Sequence, residues 1–194
     1  MNRTRSLAGL ALAAALSVGA AVVWLWPSQS RHSEAEAFEV HGLYPMTTTI
    51  AYDEFWRLTP ALLLVVYDAF GQTQEDAIYD TLAQVTHGEA LEYLYLERVG
   101  AMAGGGLDEA DQTIHEIKLL DAQVGRDAAT LTIAASWQVI GTVGHAEHLH
   151  VRGNTYSADL SVAPVDGAWR ITGFELLEVN RDAAGETFPA LQTN

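Results

Sequence analysis

Three histidines within six residues form the densest group of metal-competent side chains in the sequence, in the order Gly-His-x-x-His-x-His. His148 and His150 lie two residues apart, a spacing that a β-strand directs to one face with about 7 Å between the residues. On the same regular strand His145 would share the other face, although Gly144 allows the backbone to bend. Metal binding, proton transfer and a polar role in a pocket or core all stay open for these imidazoles.

A metal site here needs ligands beyond the His148 and His150 pair, because closed zinc sites have four ligands and catalytic ones have three plus water. His145 and His115 are the candidates, and imidazole suits zinc, copper or nickel (Zn, Cu or Ni). The motif lacks the spacing of H-E-x-x-H. His148 and His150 also have the parity of Tyr156, so the alternative is that they line a ligand pocket with Tyr156 and Trp137.

Several other chemistries lack their residues. The sequence has no cysteine, which excludes a thiolate nucleophile, a Cys-ligated zinc and an iron–sulfur cluster. It has no G-x-S-x-G elbow for a serine hydrolase. The glycines at 104–106 are not followed by the lysine and hydroxyl of a phosphate-binding loop, so they indicate a linker.

Three helices are predicted between residues 59 and 104. Thr59 is a candidate N-cap with Pro60 at the first helical position, and Gly71 ends the apolar run. Two further helices should begin with capping boxes, Thr73 with Asp76 and Thr86 with Glu89, and the glycines at 104–106 should end the last one.

Four long strands are predicted after the helices. Residues 131, 133, 135, 137 and 139 are apolar, while residues 130, 132, 136 and 138 of the other parity are polar, which is the pattern of a half-buried strand. The predicted strands are 112–124, 129–143, 147–162 and 168–179, with turns at 125–127 and at Asp166-Gly167. Helices followed by consecutive hairpins predict an α+β fold, with helices packed on an antiparallel sheet.

The N-terminal segment predicts a single-pass anchor. Residues 7–26 carry no charge, and a helix of twenty residues spans about 30 Å of hydrocarbon. Arg3 and Arg5 precede it and Trp24 and Trp26 end it, which favours a cytoplasmic N-terminus and a C-terminal domain on the outer side of a bacterial inner membrane. A cleaved signal peptide is the alternative, with Ala20 among the small residues before the cut. We expect an anchor at 1–26, a linker and N-terminal extension at 27–58, one domain at 59–181 and a tail at 182–194.

The charge of the chain excludes one class of partner. All 25 acidic residues lie beyond the apolar segment together with only eight of the ten basic ones, so this part carries a net charge of −17. Such a surface repels nucleic acid. It favours cations or basic partners, or it serves solubility alone.

The last predicted hairpin carries a family resemblance. Val165-Asp166-Gly167-Ala168-Trp169-Arg170-Ile171 has the form V-D-G-x-W-x-I and, with Trp137 and Tyr156, resembles the cone-shaped fold shared by nuclear transport factor 2, ketosteroid isomerase and the SnoaL-like cyclases. The resemblance covers about residues 60–181. It implies helices on a bent sheet of about four strands, and it makes a homodimer an expectation by analogy.

The resemblance does not decide the activity, because this fold houses enzymes as well as non-catalytic modules. An isomerase would need an aspartate base opposite a tyrosine, but Tyr156 and Asp159 have opposite parity on their strand. We therefore expect a non-catalytic accessory domain that binds a small ligand or a membrane-protein partner. A periplasmic metal-binding protein and a small-molecule isomerase or dehydratase with a histidine as acid or base are the alternatives.

Overall fold

The computed structural model describes residues 36–104, 112–145 and 148–189. The described residues belong to one compact unit, Ala35–Asn194. The predicted anchor at 1–26 and the first part of the linker, to residue 35, lie outside them. Among the helices that are described, none is both long and apolar enough to cross a membrane.

The chain from residue 37 is already folded, so the domain begins before residue 59. β1 (Ala37–Phe38) and β2 (Met46–Thr47) form a short antiparallel ladder, and α1 (Thr48–Asp53) follows. The Thr47 side chain caps α1 by accepting a hydrogen bond from the Ile50 amide at 3.2 Å. Met46 and Ala51 are fully buried, which makes this stretch part of the core.

Three longer helices follow. The C-terminal ends of the first and the third lie at the glycines predicted to end them, whereas the N-terminal ends do not lie at the threonines predicted as caps. α2 is Phe55–Phe70, α3 is Glu75–Val85 and α4 is Glu89–Ala103. Gly71 and Gly104 stand at the C-caps of α2 and α4, as predicted.

The predicted start of α2 at Pro60 is wrong, because the helix begins at Phe55 and contains Pro60. Pro60 removes only the hydrogen bond to the carbonyl of Trp56. Trp56 is 57% exposed, so water reaches that end of the helix. Thr59 is consequently a buried helical residue and not a cap.

The two predicted capping boxes are also wrong. α3 and α4 start after Gln74 and Gly88, neither of which caps with its side chain. The Thr86 hydroxyl instead donates to the Leu82 carbonyl at 2.7 Å, at the end of the preceding helix. Gly88 has φ +59°, a conformation that glycine adopts readily.

The sheet confirms the predicted α+β class. Its strands are β3 (Gln112–Asp127), β4 (Thr130–His145), β5 (His148–Val165) and β6 (Ala168–Pro189), antiparallel in the order β3-β4-β5-β6. The turn predicted at 125–127 is displaced, because Gly125 pairs with Thr132 and the chain turns at Ala128, with φ 51°. Register shifts between Ile114 and Glu116 and along the β5–β6 ladder are bulges, which bend and twist strands.

β6 continues ten residues beyond the predicted end at 179 and reaches Pro189. The tail predicted from residue 182 is therefore strand up to 189. The cause is the length of β5, whose backbone from His148 onward offers partners to β6, so that His148 pairs with Pro189 and Gly153 with Ala183.

The core lies between the helices and one face of the sheet. The inward residues of the strands alternate along β4 and β5 as predicted, and the helices contribute a matching apolar stripe. The largest fully buried side chains are Trp137, Trp169, Met46, Leu58, Leu62, Leu63, Ile78, Leu82, Leu131, Ile133, Ile171 and Val85.

Trp169 joins the N-terminal ladder to the last hairpin. Its indole Nε1 donates to the Met46 carbonyl at 2.9 Å, and its ring meets Phe38 edge-on at 6.1 Å. Its backbone amide donates to the Glu39 carbonyl at 2.8 Å, while the Glu39 amide donates to the Gly167 carbonyl at 2.9 Å. The structure therefore places this tryptophan in the core.

Candidate ligand pocket

An aromatic pocket lies between helices α2 and α4 and the strands β4, β5 and β6. Its floor is Trp137, which is 1% exposed and stacks on Tyr156 with ring centroids 5.9 Å apart. The two rings meet because Trp137 and Tyr156 are direct partners in the β4–β5 ladder. Tyr67 of α2 packs on Tyr156 at 5.8 Å and accepts a hydrogen bond of 3.1 Å from the indole Nε1 of Trp137.

The open side of the pocket is formed by β6 and α4. Phe174 meets the Trp137 ring edge-on at 6.4 Å. Tyr93 stacks on Phe174 with ring centroids 6.0 Å apart and is 37% exposed. Its ring therefore lines the pocket and also forms part of the protein surface. Leu94, the next residue of α4, is almost fully buried and holds the helix against this part of the fold.

The cavity between these side chains has a volume of about 120 Å³. An engineered apolar cavity of about 150 Å³ accommodates benzene, so this one is of the size of a small ring or a branched aliphatic group. Among the described residues that line it, Glu97 alone carries a charge. The lining residues are Leu63, Val66, Tyr67, Phe70, Tyr93, Leu94, Glu97, Trp137, Tyr156, Phe174 and Leu176.

Tyr67, one of the lining residues, carries the hydroxyl group that accepts the hydrogen bond from Trp137. Burial raises the pKa of Tyr67 well above its ordinary value, nearby Tyr156 adds to the rise, and the hydrogen bond from Trp137 opposes it. The phenol therefore stays neutral. Because the bond from Trp137 uses its oxygen as acceptor, its hydrogen is available to a bound group.

Two weaker polar features lie nearby. The Tyr156 hydroxyl accepts a hydrogen bond of 3.3 Å from Asn154 Nδ2. At the mouth, partial burial raises the pKa of Tyr93, and the charge of Glu97 adds to the rise. A neutral ligand with an acceptor group suits this environment better than an anion, because the only charge nearby is negative.

Two of the four predicted pocket residues, Trp137 and Tyr156, lie in this pocket. The side chains of the other two, His148 and His150, fall outside the described part of the chain. Asp159 is exposed and lies opposite Ala134 and Glu175 in the ladders, away from Tyr156, so the structure does not bring a carboxylate base to Tyr156 from this strand.

The predicted metal cluster is described only through its backbone. His145 belongs to β4 and pairs directly with His148, while His150 pairs with Val143. The predicted strands 129–143 and 147–162 leave His145 between them, and in the structure it is the last residue of β4. Among the side chains that the structure describes, no group of three His, Asp or Glu could hold a metal ion.

His115, the predicted additional ligand, lies on β3. It is the bulge residue between the Ile114 and Glu116 pairs, and its Nε2 is 2.9 Å from Thr142 Oγ1. The β3–β4 ladder ends at the pair Gln112–Val143, so His145 lies beyond it. His115 is exposed on the sheet.

A second, more open groove of about 600 Å³ also has Tyr67 in its wall. Its walls come from α2, α3 and the start of β3, and they mix polar and apolar residues. They include His41, Asp68, Gln72 and Thr81, of which Gln72 donates to Thr81 Oγ1 at 2.8 Å.

Comparison with known proteins finds no matching family model and no matching curated protein. Three solved structures resemble the chain distantly. A SEC-C motif protein from Rhodopseudomonas palustris has a TM-score of 0.35 and 13% identity, over 61% of this chain and 77% of that one. The intermembrane space region of chloroplast protein ARC6 has 0.40 and 16%, over 68% and 97%. A de novo beta sheet design has 0.32 and 11%, over 69% and 95%. At these values none of the three informs the function.

Proposed function

We propose that this chain is a non-catalytic binding domain, held by its N-terminal segment at the outer side of a bacterial inner membrane, that receives a small, mainly apolar group in its aromatic pocket. The observation that carries the proposal is the pocket itself. Its walls are rings fixed by stacking and by the Trp137–Tyr67 hydrogen bond, and its mouth between Tyr93 and Leu176 is open.

The proposal includes the type of α+β fold. We take the domain to be of the nuclear transport factor 2 cone type. The order of helices before four long antiparallel strands supports it, as does the turn at Asp166-Gly167 that feeds Trp169 into the core. In such a cone the space between helices and sheet is where a ligand enters.

The walls define the chemistry of the bound group. Stacked rings favour a flat or branched apolar body, and the neutral Tyr67 hydroxyl favours one hydrogen-bond acceptor on that body. Acetophenone and ethylbenzene form a matched pair of probes, because they have similar shapes and only acetophenone carries a carbonyl oxygen.

Thermal unfolding of the full chain in lipid nanodiscs tests the proposal. A probe at about ten times its dissociation constant should stabilise the protein by about 1.4 kcal/mol, which raises Tm by roughly 3–5 °C for a domain of this size. When the two probes are compared at the same concentration, we expect acetophenone to raise Tm more than ethylbenzene does, and Tyr67→Phe to remove the difference. Tyr79→Phe, at an exposed tyrosine of α3, is the control. No shift with either probe would contradict the proposal.

The β4–β5 register favours metal binding as a second candidate function. Direct partners in an antiparallel ladder have Cα atoms about 4.5–5.5 Å apart, and His145 and His148 are such partners. His150 follows two residues later on the same strand. Imidazoles at this end of the hairpin would bind zinc, copper or nickel.

Equilibrium dialysis of the full chain against each metal, with metal content measured per chain, checks this candidate. We expect about one ion per chain, and loss of at least tenfold in affinity when His148→Ala is combined with His150→Ala. The combination His41→Ala with His87→Ala removes two histidines elsewhere and should leave uptake unchanged. Equal uptake by both double variants would exclude the histidine cluster.

A further inference from the structure

The mouth of the aromatic pocket continues into an exposed apolar surface. Of the ten exposed large apolar side chains among the described residues, five lie on α4 and β6, and we call them the rim: Tyr93, Leu96, Leu176, Leu177 and Val179. Tyr93 and Leu176 also line the pocket, so rim and cavity are continuous. Singly scattered apolar side chains are ordinary on a surface, whereas a group at a cavity mouth marks an interaction site.

The charges around the rim have one sign. Every exposed charged side chain on α4 is a glutamate, and Glu89, Glu92 and Glu97 lie on the same side of this helix as Tyr93 and Leu96. On residues 168–180 of β6 the exposed charges are also glutamates, but Glu175 and Glu178 pair with Asp159 and Ser157 on the sheet face opposite the pocket. The arginines of these segments are not exposed. Arg98 is 6% exposed and donates to the Gln72 carbonyl, and Arg170 is half-buried. An apolar mouth with an acidic border is complementary to an apolar group with basic neighbours.

The neighbouring parts of this chain outside the described residues do not provide an apolar group with basic neighbours. Residues 105–111 contain three acidic residues and no basic one, and residues 190–194 have no charged side chain. A second copy would bring the same glutamates against each other in a two-fold arrangement, which is repulsive.

We propose that the rim binds a peptide segment of a partner protein that inserts one aromatic or branched apolar side chain into the pocket and places Lys or Arg against Glu89 and Glu97 of α4. This rests on the proposed function, whose pocket it uses, and it names the occupant. The cavity of about 120 Å³ holds one such side chain. The glutamates then select partners by charge, as rim charges do at protein interfaces.

Fluorescence anisotropy with the full chain in phosphatidylcholine nanodiscs tests this with four labelled twelve-residue peptides. They carry Phe or Ala at the centre and either two Lys or two Glu on each side. The Lys-flanked Phe peptide should bind at least about tenfold more tightly than each of the other three, after subtraction of binding to empty nanodiscs.

Variants locate the binding. Glu89→Gln with Glu97→Gln should weaken binding of the Lys-flanked Phe peptide by about fivefold and reduce the dependence of binding on salt. Glu116→Gln with Asp121→Asn changes the charge equally at exposed positions of β3 and should change affinity by less than about twofold. Leu176→Asp, placed at the pocket mouth, should abolish selection for Phe over Ala.

Equal weakening by the two charge variants, or equal binding of the Phe and Ala peptides, would overturn the inference. If acetophenone stabilises the protein and no peptide binds, this inference fails while the pocket function stands. If neither acetophenone nor any peptide binds, both fail.

Discussion

Tyr67 shows how one side chain can support both the fold and the site. Its ring lies in the apolar run of α2 and packs on Tyr156, while its hydroxyl accepts from Trp137 at 3.1 Å. A hydroxyl held between rings is costly to ionise, because the phenolate would lose the hydration it has in water. The same burial keeps its hydrogen in place for a ligand.

This environment predicts a specific dependence on alkaline pH. The pKa of Tyr67 is raised in the folded state above the ordinary value of 10.0, so its contribution is present below pH 10 and is lost as pH rises above it. At pH 11 the loss amounts to about 1.4 kcal/mol. Tyr67→Phe should be less stable by about 1 kcal/mol at pH 8, where the bond to Trp137 is missing, and should approach the parent protein by pH 11.

Urea unfolding of the full chain and of Tyr67→Phe at pH 8 to 11 measures this. Tyr79→Phe is the control, because the exposed Tyr79 lies outside the pocket. Stability differences that stay constant across this range would show that Tyr67 ionises as readily in the folded as in the unfolded protein.

Sequence reasoning named only two of the residues that line the aromatic pocket. Trp137 and Tyr156 were predictable because the alternation of the strands puts them on one face. Tyr67, Tyr93 and Phe174 were missed, since each lies in an apolar pattern that also describes an ordinary core. The usable signal was the presence of tyrosines, whose hydroxyls need partners when buried, on helix faces otherwise made of aliphatic residues.

At the scale of elements, the ends of helices and the strands were more predictable than the helix starts. Glycine adopts backbone conformations that other residues avoid, so Gly71, Gly104 and Gly167 correctly predicted two helix ends and a turn. A threonine caps a helix only if its side chain accepts from an amide of the first turn. The Thr86 hydroxyl instead donates to the Leu82 carbonyl of the preceding helix. The extent of β6 depends on its pairing with β5, which is tertiary structure that local patterns do not contain.

The last hairpin provides a test at this scale. Asp166 and Gly167 have φ of 50° and 83°, the pair of positive values that a two-residue type I′ turn requires. Gly167→Ala forces a side chain into this conformation and should lower the free energy of unfolding by about 1 kcal/mol.

Gly100→Ala is the matched substitution. Gly100 lies within α4, and a Cβ there meets nothing within 4 Å. The same glycine-to-alanine change should therefore raise stability by about 0.5–1 kcal/mol. Chemical denaturation of both variants checks the pair, and effects of the same sign would contradict the assigned turn.

At the scale of the whole molecule, the sequence leads to separate predictions for the folded domain and for the apolar N-terminal segment. The order of helices and strands followed from periodicity alone, whereas the folding of residues 37–58 onto the core did not, because their ladder and short helix are too brief to leave a pattern. The orientation in the membrane remains a prediction from Arg3, Arg5 and the aromatic residues that end the segment.

Reporter fusions in a Gram-negative host measure that orientation. Alkaline phosphatase joined after residue 194 should be active, because it folds only outside the cytoplasm, and a green fluorescent protein at the same position should be dark. Retention in membranes after alkaline extraction, with the N-terminal segment still attached, separates an anchor from a cleaved signal peptide. The opposite pattern of reporters would reverse the topology.

The contacts of Trp169 determine how the domain bears a mechanical load. A pull applied at residue 36 acts on the β1–β2 ladder and then on Glu39, which is bonded on both sides to the last hairpin, through Gly167 and Trp169. Trp169 is in turn bonded to Met46, eight residues further along the entering chain than Phe38, whose ring it contacts. Tension along a tether would therefore pass directly into the sheet, and the helices that form the pocket would keep their arrangement until the Trp169 contacts ruptured.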